Sequence, residues 1–221
     1  SHEIRDLAKG MINNPIEISV SPRNTTVDAV EHFLYPVDKA QKISVLVELI
    51  KSGNWQQALV FSRTKHGANR ITKKLEQKGI SAAAIHGNKS QGARTRALAN
   101  FKEGVVKILV ATDIAARGID INQLPQVVNF DLPNVAEDYI HRIGRTARAG
   151  ASGKAISLVS ADEFDQLKDI ERLLKQLIAR KEMENFMPTL PLPTSTLDTR
   201  PIRAKRPKKI KPKISPPNFN T

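Results

Sequence analysis

The 221-residue sequence contains no cysteine, which excludes a disulfide framework and thiolate metal sites and makes a reducing compartment the default. No apolar run approaches the roughly 18 residues of a membrane span, because Glu48 and Lys107 interrupt the two best candidates. No signal-peptide pattern is visible. A cytoplasmic location with no membrane partner is therefore expected. Acidic residues and glycine are scarcest at one end of the chain. From Phe186 onward there is a single acid, Asp198, and no glycine, against eight Lys and Arg and eight of the 13 prolines. Proline at that density sustains neither a helix nor a central strand, so residues 183–221 read as a disordered basic tail.

The formal net charge is +13, of which the last 36 residues hold +7 and the other 185 only +6. A mobile polycation suits a polyanion, and the body of the chain favours nucleic acid over a membrane surface. Such a tail also suits contacts within a ribonucleoprotein. The body alternates short apolar runs with amphipathic stretches, the pattern of βαβ units and a mostly parallel sheet. The runs are Val30 to Val37, Ala58 to Phe61, Ala82 to Ile85, Val105 to Ala111, Val127 to Phe130 and Ala155 to Val159. Helical spacing occurs in four stretches: Asp38 to Ser52, Thr64 to Lys78, Lys89 to Lys102, and Asp162 to about Arg180. Asp38 is a candidate cap for the first, and Gly53, Gly79 and Gly104 are candidate stops. Residues 1–24 carry a short helical pattern (Ile4, Leu7, Ala8, Met11) and a brief strand, Ile16 to Val20. They read as the end of a preceding unit plus a linker, with the main domain over 25–182.

Ligands of open parallel sheets bind beyond the carboxyl ends of the strands. Three successive ends carry hydroxyl, basic or glycine residues: Ser62 to Lys65; His86 to Gln91 with Arg94; and Thr112, Asp113, Arg117, Gly118 and Asp120. Each begins the next helix, where unsatisfied N–H groups attract phosphate. One such cluster is an ordinary loop, but three on one edge make a phosphate-tracking surface. The densest cluster runs from Asp138 to Arg148, with Arg142, Arg145 and Arg148 three residues apart, and Asn134 and Glu137 are expected to cap its helix. Two decoys are set aside. Gly87 to Arg94 has Walker A glycine spacing, but Ala93 stands where Lys is required. Ile156 to Glu163 imitates a strand ending in magnesium carboxylates, but Ser160 and Glu163 fit a capping box.

These motifs carry a resemblance. Tyr139 to Gly150 resembles motif VI of the DEAD-box RNA helicases, Leu109 to Ile121 motif V, and Ala58 to Lys65 motif IV. Gln91 and Arg94 resemble the family's Gln-x-x-Arg signature. The run from about Glu3 to Arg180 is similar to the second RecA-like domain of this family, closest to the bacterial RhlE group. The implied fold is a RecA-like three-layer αβα sandwich with a mostly parallel sheet, plus the basic tail.

The resemblance implies that two RecA-like domains close around ATP and RNA. Arg145 and Arg148 would reach the γ-phosphate, Asp120 would contact the ribose, and Gly118 would let the backbone approach the nucleotide. Asp113, Arg117, His141 and Arg142 would brace the motifs or the domain interface. Arg63, Thr64, Gly87, Gln91, Arg94 and Thr112 would grip an RNA backbone, single-stranded or duplex. No aromatic residue lies among them, so binding independent of base sequence is expected. Ala147 departs from the family's usual glycine. Neither a Walker A loop nor an Asp-Glu-Ala-Asp run occurs in the 221 residues. The magnesium ligands and the rest of the ATP site are therefore expected on an N-terminal RecA-like domain in cis, and this chain alone is expected to be inactive. The competing reading is a stand-alone or truncated RNA-binding module without ATPase activity.

Overall fold

In a computed structural model of the chain, the residues described are 8, 10, 11, 30–119, 121, 123–146 and 153–198. The expected features over 1–24, together with Asp120, Ala147 and Arg148, lie outside them, apart from residues 8, 10 and 11. The element order is β1 (Glu31–Pro36), α1 (Lys42–Ser52), β2 (Ala58–Phe61), α2 (Lys65–Gln77), β3 (Ala82–Ile85), α3 (Gln91–Lys102), β4 (Ile108–Ala111), α4 (Asp113–Ala116), β5 (Gln126–Asn129), α5 (Ala136–Ile143), β6 (Lys154–Val159), α6 (Phe164–Leu174) and β7 (Ala179–Arg180). The sheet has seven strands in the order β3-β4-β2-β5-β6-β1-β7. Every strand pairing is parallel, so the mostly parallel sheet expected from the alternation of runs is present.

Alternate residues of the strands feed opposite layers, as the two-residue side-chain period requires. Ala58, Val60, Ile108, Val110, Val128, Ile156 and Leu158 pack against α1 and α2 through Val45, Leu46, Leu49, Ile50, Ala68, Ile71 and Leu75. The opposite face is covered in two parts. Leu59, Leu109 and Val127 pack with Phe101 of α3 and Ala115 and Ala116 of α4. Leu34, Ala155 and Val159 pack with Tyr139 and Ile143 of α5 and Leu167 and Ile170 of α6. Each fully buried aliphatic or aromatic side chain contributes about 1.5–3 kcal/mol. The three layers follow from this alternation, and the two-part cover leaves a seam between α4 and α5.

Helix ends differ from expectation in several places. Gly79 and Gly104 do follow α2 and α3, at φ of 75° and 77°, and Ser160 and Glu163 do form a capping box. Asp38 does not cap α1. That helix starts at Lys42 with Gln41 in front of it and no side-chain cap, because the Asp38 carboxylate accepts from the backbone and hydroxyl of Thr189 at 2.9 and 2.7 Å. Nor do Asn134 and Glu137 cap α5, which has Val135 in the cap position and no side-chain cap. The apolar run after α3 begins its strand at Ile108, not Val105, which is exposed.

The largest difference is at the end of the domain. The final helix stops at Leu174, with Lys175 left-handed at φ 57°. Ile178, not Leu177, turns inward, its amide bonded to Glu171 Oε1 at 3.1 Å. Ala179–Arg180 then joins the free edge of β1, Phe33 opposite Ala179. Sheet pairing thus overrides the helical spacing that continues past Leu174 in the sequence.

Residues 183–198, assigned by composition to the tail, are packed against the domain. Thr189 is held by Asp38. The Arg180 guanidinium donates to Leu192 O, Pro193 O and Ser195 Oγ at 3.1, 2.7 and 2.9 Å. Leu192 is buried in the α5 and α6 cluster. Proline removes helix and central-strand options, but it leaves an extended strap whose carbonyls an arginine can gather. Arg180→Ala is expected to speed amide exchange across residues 190–196 about tenfold, equivalent to about 1.4 kcal/mol, with β2 and β4 unchanged. Unaltered exchange would show that Leu192 burial alone holds the strap.

Candidate functional site

Sheet register assembles the polar residues. Phe61 lies opposite Ala111, and Ala111 opposite Ile85. The residues following β2, β4 and β3 therefore leave the sheet at one level, on three neighbouring strands. Thr64 caps α2, its hydroxyl accepting from Gly67 N at 2.9 Å. Ser90 caps α3, and in its first turn Arg94 donates to Gln91 Oε1 at 3.1 Å. Gly87 is exposed, with nothing within 4 Å of where a Cβ would stand. Thr112 precedes α4 and makes no side-chain cap. Arg63, Thr64, Gly87, Gln91, Arg94 and Thr112 are thus brought to one edge.

The electrostatics of that edge are cationic. His86 is buried, its Nε2 3.0 Å from Asn69 Oδ1 and its Nδ1 without a hydrogen-bond partner. Burial, then Lys89, Lys65 and His66, lowers its pKa below the usual imidazole value. Arg63 is partly withdrawn from the surface. Its Nη2 meets Glu163 Oε1 at 2.8 Å and its Nε donates to Leu132 O at 3.3 Å. Glu163 therefore does more than cap. Its carboxylate also accepts from Leu132 N at 3.0 Å and pairs with the Lys42 ammonium, which in turn donates to Phe130 O at 2.8 Å. Lys42 sits in the first turn of α1, where a cation opposes the helix dipole. Beside this buried cluster, Asp162 at the surface has its carboxyl lowered to about 2, chiefly by the hydrogen bond from Lys39.

A second group lies in the seam. Phe61, Asp113, Ala116, Arg117, Asp138, His141, Arg142 and Arg145 line a cleft. At its floor Arg142 is 1% exposed. Its Nε and Nη2 fork onto both Asp113 oxygens at 2.6 and 2.8 Å. Its Nη1 donates to Asn129 Oδ1 at 3.1 Å and to Asp131 O at 2.7 Å, and the guanidinium lies 4.9 Å from the Phe61 ring centroid. A buried arginine is tolerable only when its donors are met this completely. Arg117 pairs with Asp138 at the rim. Arg145 also lines the cleft, with Nη1 3.4 Å from Ile119 O. Thr146 anchors the backbone next to it, donating from Oγ1 to Leu124 O at 2.7 Å. Gly118 has φ 81° with open space around it, a conformation that side-chain-bearing residues rarely adopt. His141 is exposed at the mouth. Asp120 and Arg148 fall outside the described residues. Among the described residues, no group of three or more His, Cys, Asp or Glu could hold a metal ion, and no helix is long and apolar enough to cross a membrane.

Sequence reasoning missed Asn129, Asp131, Lys42 and the ion pairs of Glu163. Asn129 and Asp131 stand at the end of β5, so the strand-end rule applied to one more strand would have found them. Lys42 carried no signal, because a lysine near a helix start reads as solvated.

Residues 41–150 match the model of the helicase conserved C-terminal domain. Among curated relatives, the ATP-dependent RNA helicase RhlB of Pseudomonas syringae pv. tomato is 38% identical over 179 residues, covering 81% of this chain and 45% of the relative. Among solved structures, the E. coli DEAD-box protein SrmB bound to regulator of ribonuclease activity A is 36% identical with TM-score 0.69, covering 75% of this chain and 98% of that one. S. cerevisiae Dbp5 bound to RNA and ADP BeF3 is 32% identical with TM-score 0.74, covering 82% of this chain and 49% of that one. The chain thus spans less than half the length of the RhlB relative. It has a RecA-like α/β fold, and it belongs to the DEAD-box RNA helicase family as a C-terminal domain.

Glu163→Leu is expected to destabilise the domain by about 3–5 kcal/mol, because it leaves the Lys42 ammonium buried without its counter-charge. The double variant Lys42→Met/Glu163→Leu should recover much of that loss in urea titrations. Equal losses in the two would mean that the capping role of Glu163 dominates.

Proposed function

We propose that this chain serves as the C-terminal half of an ATP-dependent RNA helicase, completed by an N-terminal RecA-like domain in cis. It supplies Arg145 and Arg148 to the γ-phosphate and offers RNA a backbone-binding edge. The observation that carries this reading is the Arg142 fork on Asp113. It ties α5 to the start of α4 and so holds the segment bearing Arg145 against a cleft open on one side. Phosphoryl transfer spreads charge over equatorial oxygens, and arginines aimed at them are worth roughly 10³–10⁵ in rate. Gly118 and Asp120 belong to the nucleotide side. Arg117 and His141, at the rim and mouth, face where a second domain would close. ATP would arrive with Mg2+, whose ligands are assigned to the N-terminal domain.

The RNA edge is assigned to Thr64, Gly87, Gln91, Arg94 and Thr112, with Arg63 contributing from its partly withdrawn position. Hydroxyl, amide and guanidinium groups grip sugar and phosphate without reading bases. The Dbp5 relative was solved with RNA and ADP BeF3 together, and the same pair of ligands is proposed here. A cytoplasmic site of action and RhlE-like grouping form part of this reading, which rests for both on the sequence.

The chain alone is expected to show no RNA-stimulated ATPase activity, and joining it to the N-terminal domain is expected to produce it. Arg145→Ala in that two-domain protein should lower kcat by about 10³ or more. Full activity in the variant would overturn the assigned role. RNA binding by the chain with no ATPase in the two-domain protein would favour the binding-module reading.

The packed strap shifts where the tail can be removed cleanly. Residues 199–221 carry eight basic residues and no acid, and the proposal is that they tether RNA, alone or within a ribonucleoprotein. Deleting 199–221 is expected to weaken RNA affinity and flatten its dependence on salt. An unchanged slope in titrations at several ionic strengths would remove the tail from RNA binding.

A further inference from the structure

Behind the cleft, the buried face of the sheet carries a row of polar side chains that neither the nucleotide nor the RNA assignment uses. Asn129 of β5 lies opposite Ser157 of β6, and Ser157 lies opposite Leu34 of β1, two residues beyond His32 on the same face. Asn129 Nδ2 donates to Ser157 Oγ at 3.1 Å. The Tyr139 hydroxyl is 3.1 Å from His32 Nδ1, and the Gln176 amide lies 3.0 Å from His32 Nε2. Asn129, Ser157 and Tyr139 are each 0% exposed. The row runs along the seam between the two apolar clusters of that face, where carbon side chains could have filled the space.

Its direction is set at one end. A guanidinium only donates, so Arg142 requires the oxygen of Asn129, and the Asn129 amide nitrogen must then face Ser157. The Ser157 hydroxyl accepts that proton, so the amide is held from both sides. Turning the Asn129 amide over would set its NH2 against the guanidinium, donor against donor, and leave buried groups unmet. Burial raises the Tyr139 pKa and lowers that of His32.

We infer that Asn129 is a positioning residue for Arg142, and that Ser157 holds Asn129 in the orientation this requires. Through Arg142 the row sets Asp113 and the approach of α5 to α4, and so the aim of Arg145. The catalytic part of this inference rests on the proposed ATPase reading. The coupling of Asn129 to Arg142 does not.

Two measurements keep these separate. In the 221-residue chain, the Arg142 Nε–H resonance is expected to be sharp and slow to exchange, and Asn129→Leu, similar in shape but without the acceptor, is expected to shift it and speed its exchange. Asn129→Asp, which keeps an oxygen towards Arg142, should retain the wild-type behaviour of that resonance. In the two-domain protein, Asn129→Leu is expected to lower the ATPase kcat by about 10- to 100-fold, with KM for ATP and RNA affinity within about threefold. Asn129→Asp should recover most of kcat. Ser157→Ala removes one hydroxyl and should give a smaller loss in the same direction; it serves as the test if Asn129→Leu fails to fold. An Arg142 resonance unmoved in Asn129→Leu, or in Ser157→Ala where that variant stands in, would overturn the inference whatever the ATPase result. A lowered melting temperature with kcat unchanged would overturn it too, reducing the row to a structural filler. A shifted resonance in a two-domain protein without any ATPase would support the coupling and overturn the helicase reading instead.

Discussion

Arg142 cannot lose its charge and cannot accept a hydrogen bond, yet it sits at 1% exposure under the cleft. Everything within reach of it has to be an acceptor or a ring face. Asp113 supplies two oxygens, Asn129 and Asp131 one each, and Phe61 the face. These residues come from β2, the start of α4, and the end of β5 with the turn that follows it. The arginine therefore ties together the segments that meet where the cover of the sheet changes from α4 to α5. A single guanidinium at that seam converts a gap in packing into a fixed floor, and Arg145 is presented above it.

A second buried charge plays a comparable part nearer the edge that carries Thr64 and Arg94. Glu163 holds Lys42 from α1, Arg63 from the turn after β2, and the amide of Leu132 after β5. Asp131 reinforces the same turn by accepting from Ser62 Oγ and Arg63 N, both at 3.0 Å. Loops that follow adjacent strands are thus cross-braced by carboxylates rather than left to their own conformational entropy. In an interior of low effective dielectric such bonds are strong when complete and costly when broken. The edge residues Thr64 and Arg94 are in turn oriented by short helix caps.

The strap over residues 183–198 shows how composition and order separate. Proline-rich, glycine-free sequence excludes helix and central strand, and from residue 199 onward the charge is wholly positive. Residues 183–198 nevertheless hold a defined path, because Asp38 and Arg180 satisfy the backbone of an extended chain and Leu192 finds the α5 and α6 core. Both anchors are far from the strap in sequence or belong to another element. No local reading of the strap could find them.

Much of the fold was legible along the chain. Alternation of β-branched runs with helical stripes implies parallel βαβ units, and the strand-end rule located Thr64, Gly87, Gln91, Arg94, Thr112 and Asp113. Local spacing also identified the capping box at Ser160 and Glu163, because both partners lie within one turn. It failed at Asp38 and past Leu174, where a distant partner or a sheet edge outcompeted the local signal, and at Asn134, which makes no cap. The amino-acid sequence by itself determined the parallel α/β class, the family to which its motifs belong and the polarity of the tail, since these depend on residue type and short-range period. Only the tertiary structure decided which residues share a hydrogen bond: Arg142 with Asp113 and Asn129, Glu163 with Lys42 and Arg63, Asn129 with Ser157, and the strap with Asp38. Those pairings depend on strand order and on which groups are buried together, and a buried donor takes the acceptor nearest in space, however far it lies along the chain.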